Sequence, residues 1–135
     1  MKRIWLARLL IALVIAWNLQ AALAFLLAPQ AYAPSFELGG APGAAAVRGI
    51  AVLFVMWNIP YLLAAWQPVR HLLSLKEAAL MQAAGLLGET GILLSIEANH
   101  PILRASIQRF IAFDPAGLVL LLIALWLVGR EVELI

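Results

Sequence analysis

The chain's 135 residues are 65% hydrophobic and 12% charged, against roughly 25% charged in ordinary soluble domains. A soluble protein of this length cannot hide so much apolar surface, so lipid is the expected solvent and a single compact unit the expected organisation. The formal charge of +2 without any basic stripe argues against a nucleic-acid partner, and the lack of cysteine excludes disulfides, thiolate metal sites and thiol catalysis.

Helix 1 is expected over residues 4–27, interrupted only by Arg8, Asn18 and Gln20. At 1.5 Å per residue it reaches roughly 36 Å, enough to cross a bilayer with some tilt. Met1-Lys2-Arg3 before it and Ala31-Tyr32-Ala33 behind it imitate a secretory signal. The apolar run exceeds the roughly 7–15 residues of a signal core, and Pro34 would follow the cut, so the helix is expected to be retained. Pro29 and Pro34 end it, and a Gly/Pro-rich connection over residues 30–43 carries Tyr32, Phe36 and Glu37.

Helix 2 is expected over residues 43–66, with Pro42 suiting the first turn, Arg48 near the start and Pro60 producing a kink. After a basic loop with Arg70 and His71, Ser74-Leu75-Lys76-Glu77 reads as a capping box opening helix 3 over residues 75–98. Asn99-His100-Pro101 stops it. Residues 102–113 place Leu103, Ile107, Phe110 and Ile111 opposite Arg104, Gln108 and Arg109, the pattern of an interfacial amphipathic helix. Asp114-Pro115 then starts helix 4, over residues 115–130 with an extension towards Leu134. The expected fold class is an all-α membrane protein: four transmembrane helices in a compact bundle, plus a short interfacial helix before the last.

With the N-terminus inside, Lys2, Arg3, Arg8, Arg70, Lys76 and Arg130 fall on the inner side and Arg48, Arg104 and Arg109 on the outer. That distribution follows the positive-inside rule and places both termini in the cytoplasm, with Trp5, Trp66 and Trp126 as an inner aromatic belt. Pro29 and Pro42, and again Pro101 and Pro115, bracket the two outer segments, a faint internal repeat that aligns Asn18 with Glu89.

The intramembrane polar residues group by depth. Glu89, Arg48, Asn18 and Gln20 lie roughly 9–15 Å from the outer helix ends. A carboxylate in lipid needs a partner or a function, and at this depth Glu89 is expected to pair with Arg48, assisted by the two amides. Asn58 and Gln82 lie nearer the inner side and are expected to join helices 2 and 3. This layering reads either as glue that fixes helix register or as an outward-open cavity for a cation, proton or polar head group. Ala84, Gly88, Gly91 and Ser95 form a small-residue face on helix 3, suited to close packing by a neighbouring helix or another subunit. Glu97 and His100 have the E-x-x-H spacing of di-iron bundles, but no second copy or further carboxylates accompany them, so no metal is expected. Phosphate loops, zinc-protease motifs and Ser/His/Asp arrangements are absent.

Four short helices, an arginine just inside helix 2 and the run Pro42-Gly43-Ala44-Ala45-Ala46-Val47-Arg48-Gly49 resemble the DoxX-like group of small bacterial membrane proteins. Met56-Trp57-Asn58-Ile59-Pro60-Tyr61 and Gly88-Glu89 would sit in the core of that group's fold. The resemblance implies a bacterial cytoplasmic membrane and association with a larger redox assembly, since the group includes a membrane subunit of a quinone-linked oxidase. The expected function is thus a non-catalytic accessory subunit, contributing to a quinone or lipid pocket beside other membrane subunits. The alternative is a small oligomeric transporter or channel-like protein for a proton or small solute, built on the Glu89/Arg48 pair; a lipid-modifying enzyme ranks last for want of a second catalytic group.

Overall fold

The computed structural model describes residues 1–133, so the extension of the last helix to Leu134 lies outside the described residues. Helix α1 spans Lys2–Leu27, the short α2 Pro29–Tyr32, a 3-10 turn Ala33–Phe36, α3 Gly40–Trp66, α4 Leu72–Ser95 and α5 Pro101–Val132. Four of these, α1, α3, α4 and α5, are long and apolar enough to cross a membrane. In lipid every backbone N–H and C=O must be satisfied within its own segment, so runs of this length and composition become helices almost regardless of their neighbours. The four pack as a ring: α1 lies between α3 and α5, and α4 closes the other side between the same two helices.

Several expected boundaries move: α1 starts at Lys2 instead of residue 4, α3 at Gly40 instead of 43, and α4 ends at Ser95 instead of 98. Helix α4 starts three residues earlier than the capping box implied: His71 occupies its N-cap and no side-chain cap bond forms there. The interfacial helix and helix 4 are one continuous helix of 32 residues, about 48 Å long at 1.5 Å per residue. Pro115 does not end it: proline's fixed φ is helical, and the ring removes the hydrogen bond that residue 115 would have donated to Ile111 O and presses on that carbonyl without stopping the helix. Residues 102–113 therefore form the outer end of α5 and not a separate helix. The proposed repeat weakens accordingly, since the first proline pair brackets separate short elements and the second sits within one helix.

The helix ends are tied by side chains. At the terminal end the N-terminal ammonium bonds Glu131 at 2.8 Å, which puts the start of α1 beside the end of α5. Arg8 donates to Ala65 O at 2.9 Å, near the end of α3, and its guanidinium stacks 4.6 Å from the Trp5 ring. At the other end Arg104 donates to Leu93 O (3.0 Å) and Ile96 O (2.6 Å), covering final carbonyls of α4. Glu37, held at a left-handed φ of 56° after the 3-10 turn, pairs with His100 and accepts the Leu103 N–H at 3.2 Å. The His100 hydrogen bond, then the Leu103 N–H, hold the Glu37 carboxyl below the ordinary carboxylate range. The His100 side chain is thus a partner of Glu37 and not of the Glu97 carboxylate, while its backbone N–H donates to Glu97 O at 3.4 Å.

The bundle has two cores. Towards the termini, Ile11, Val14, Tyr61, Leu75, Ala78, Leu121, Ala124 and Val128 pack from all four long helices with little or no exposure. Towards the outer connections the core is aromatic: Phe25, Phe36, Phe54 and Phe110 surround Ala33, Val47 and Ala51, with ring centroids 5.8–6.4 Å apart. No α4 residue belongs to that second cluster. After Gln82, α4 has no buried residue at all.

Candidate functional site

The outer half of α4 stands clear of the aromatic cluster and leaves a cavity of ≈ 750 Å³ between α1, α3, α4 and α5. That volume lies within the roughly 300–1,000 Å³ of small-molecule sites. Its walls are aromatic, from Trp17, Phe25, Phe54, Trp57, Phe110 and Phe113, with Tyr32 at the outer edge. Trp17 and Phe113 meet edge-on, 4.6 Å between centroids, and join α1 to α5 beside it.

The floor is polar and consists of a chain of hydrogen bonds across three helices. Trp57 Nε1 donates to the Tyr61 hydroxyl at 3.0 Å, both on α3. That hydroxyl, fully buried, shares its proton between Ala78 O (3.0 Å) and Gln82 Oε1 (2.8 Å) on α4. Gln82 Nε2 donates onward to Asp114 Oδ1 on α5 at 2.8 Å. The Asp114 and Glu89 carboxyl groups lie within hydrogen-bonding reach of each other. Two like charges at that separation repel strongly, so the pair favours a shared proton or a bound cation.

Two glycines make this crossing possible. A Cβ on Gly117 would stand 3.0 Å from Gln82 Nε2, and one on Gly85 would stand 3.0 Å from Asp114 Oδ2 and 3.6 Å from the Trp57 ring. Any side chain at either position would press on the network.

Most of the residues expected at membrane depth meet here. Glu89, Asn18, Gln20, Asn58 and Gln82 all line the cavity. Arg48 does not: it is exposed, outside the lining, and among the described residues has no ion pair. The inward face of α3 is set by Val47, Ala51, Asn58 and Tyr61, and Arg48 follows Val47 by one residue, about 100° around the helix. Depth alone had suggested the Glu89–Arg48 pair; azimuth forbids it. Asn58 and Gln82 share the cavity but not a bond. Asn58 Nδ2 donates to Phe54 O on its own helix at 2.7 Å, and its Oδ1, though buried, has no partner among the described residues.

Asp114 is the residue the sequence pattern concealed. Beside Pro115 it reads as a helix cap, whereas in the helix interior it turns inward to Gln82 and Glu89. Its spacing from the inward residues Gly117 and Leu121 on the same helix was the available signal. Nor does the small-residue face meet a neighbouring helix within the chain. Ala84, Gly88, Gly91 and Ser95 are all exposed, and a Cβ on Gly88 or Gly91 would find nothing within 4 Å. Ala84 and Gly88 form part of the cavity's edge instead.

Fold and site together define a small multi-pass, all-α membrane protein with an internal acid-floored cavity. No protein-family model, curated protein or solved structure matches the chain.

Proposed function

We propose that this chain is a non-catalytic integral membrane protein that holds a small amphiphilic molecule in its outer-half cavity, as an accessory subunit of a larger membrane assembly. The observation that carries the reading is the cavity itself: aromatic walls of small-molecule dimensions over a floor of Glu89, Asp114, Gln82 and Asn58. Pockets with a few convergent polar groups in an apolar lining are the usual form of ligand sites. The uncovered face of Ala84, Gly88, Gly91 and Ser95 supports a partner helix, because small residues permit close approach in lipid. The DoxX-like resemblance favours a bacterial cytoplasmic membrane and a redox assembly. The cation distribution, six at the terminal end against three at the other, favours cytoplasmic termini.

A second reading, a small oligomeric carrier of a proton or solute, is favoured by the Glu89–Asp114 pair, with Asp114 standing where Arg48 had been expected.

The test is native mass spectrometry of the protein released from mild detergent, beside the variant Gly88→Trp. Gly88 borders the cavity with open space around it, so the indole should occupy the opening without disturbing the helix. The expected result is a co-purifying small molecule in the native protein, absent in Gly88→Trp, together with larger partner subunits. A bare homo-oligomer with no bound molecule in either form would overturn the subunit reading and favour transport.

A further inference from the structure

Resting on the cavity as a binding site, the geometry points to the chemical class of its occupant: a protonated amine with an apolar body, its N–H groups directed at Asn58, Glu89 and Asp114.

The hydrogen-bond inventory of the floor is one-sided. Its donors are committed: Trp57 Nε1 to Tyr61, Gln82 Nε2 to Asp114, Asn58 Nδ2 to Phe54 O; the amides of Asn18 and Gln20, which also line the cavity, are respectively half-buried and exposed and so need no partner inside it. Its acceptors are not. Asn58 Oδ1 and Glu89 Oε2 are both buried and receive no N–H from the described residues; the group within reach of Glu89 is the Asp114 carboxyl, itself an acceptor except where the two share a proton. The orientation of Asn58 is not ambiguous, because only its amide nitrogen can donate to the Phe54 carbonyl, which leaves Oδ1 facing elsewhere. A buried acceptor without a donor costs about 1–3 kcal/mol, so two of them beside one cavity call for a ligand that donates.

Charge points the same way. Two carboxyl groups face each other, and neither makes a salt bridge to any lysine or arginine among the described residues. Arg109 also lines the cavity, but it is exposed and stands five residues before Asp114, roughly 7.5 Å further out along α5. A quinone, which presents only carbonyl acceptors, would set acceptor against acceptor at this floor. An ammonium supplies the missing N–H groups and the missing positive charge at once. The surrounding faces of Phe25, Phe54, Trp57 and Phe110 suit a cation as well as an apolar body, since aromatic rings attract cations over their faces.

An ammonium of this kind occurs on free lipophilic amines and on aminophospholipid head groups, and the experiment separates the two. The full chain is placed in phosphatidylcholine nanodiscs, whose head groups carry no N–H, and titrated calorimetrically at neutral pH with octylamine, octanol and 1,4-naphthoquinone. Empty nanodiscs provide the partitioning background. Octylamine is expected to bind at least about tenfold more tightly than octanol, and Glu89→Gln to remove that preference, read as the ratio of the two affinities. The comparison of ligands on the native protein stands even if Glu89→Gln fails to fold. Repeating it in nanodiscs containing phosphatidylethanolamine identifies the source: competition with octylamine supports a lipid head group, and an unchanged affinity supports a free amine. Octanol or naphthoquinone binding as tightly as octylamine overturns the amine and leaves the cavity reading intact. Binding of none of the three overturns both.

Discussion

The terminal and outer halves of this bundle are made from the same four helices yet differ in how completely those helices meet. In the terminal half, α4 contributes Leu75, Ala78 and Ala79 to a closed core with α1, α3 and α5. In the outer half, phenylalanines on α1, the 3-10 turn, α3 and α5 satisfy one another, and α4 is left outside. Helices in lipid gain nothing from hiding apolar surface, because the acyl chains are equally apolar; only packing and hydrogen bonds hold them together. Past Gln82, α4 adds no buried side chain to the rings, and polar contacts to α5, Glu89 with Asp114 and Arg104 with Leu93 O and Ile96 O, hold it there instead.

The largest effects should separate the halves outright. Leu121→Ala removes a fully buried side chain from the closed core, and thermal unfolding in mild detergent should show a loss of about 2–4 kcal/mol. Leu87→Ala, on the exposed outer part of α4, should change stability by less than about 0.5 kcal/mol. Equal losses would mean that the outer face of α4 packs as tightly as the core, and the contrast would fail.

Between the halves, Tyr61→Phe leaves Trp57 Nε1 without its acceptor and Gln82 without its donor. A cost of about 1–3 kcal/mol is expected. Gly117→Ala should cost a comparable 1–3 kcal/mol or so by overpacking against Gln82. Gly88→Ala, which meets nothing, should be neutral or stabilise by up to about 1 kcal/mol through helix propensity. If both glycine substitutions behave alike, the crossing at Gln82 is not the tight point assigned to it.

The smallest effect belongs to the outer connection. Glu37 has its carboxyl value lowered by His100 and the Leu103 N–H. Its contribution is therefore present above the ordinary carboxylate range and disappears as pH falls through the lowered folded value. Protection factors of the amides around residues 35–38 and 101–104, taken against their intrinsic exchange rates at each pH, should fall at acid pH in the native chain. In Glu37→Gln that pH step should be absent; a step of the same size would assign it to another group.

Much of this was legible in the residues alone. Four apolar segments of membrane length, with ends near Leu27 and Trp66, follow from local composition. Lipid makes such segments helical because it offers the backbone no other hydrogen-bonding partner. Three features were not legible. Arg48 faces outward, Asp114 faces inward, and Pro115 lies inside a helix that runs on past it. Each depends on the rotation of a helix about its own axis or on the path of the chain through a proline. Those variables are decided only when all four helices pack together, because a side chain's depth is a property of its own helix and its partner is a property of the bundle.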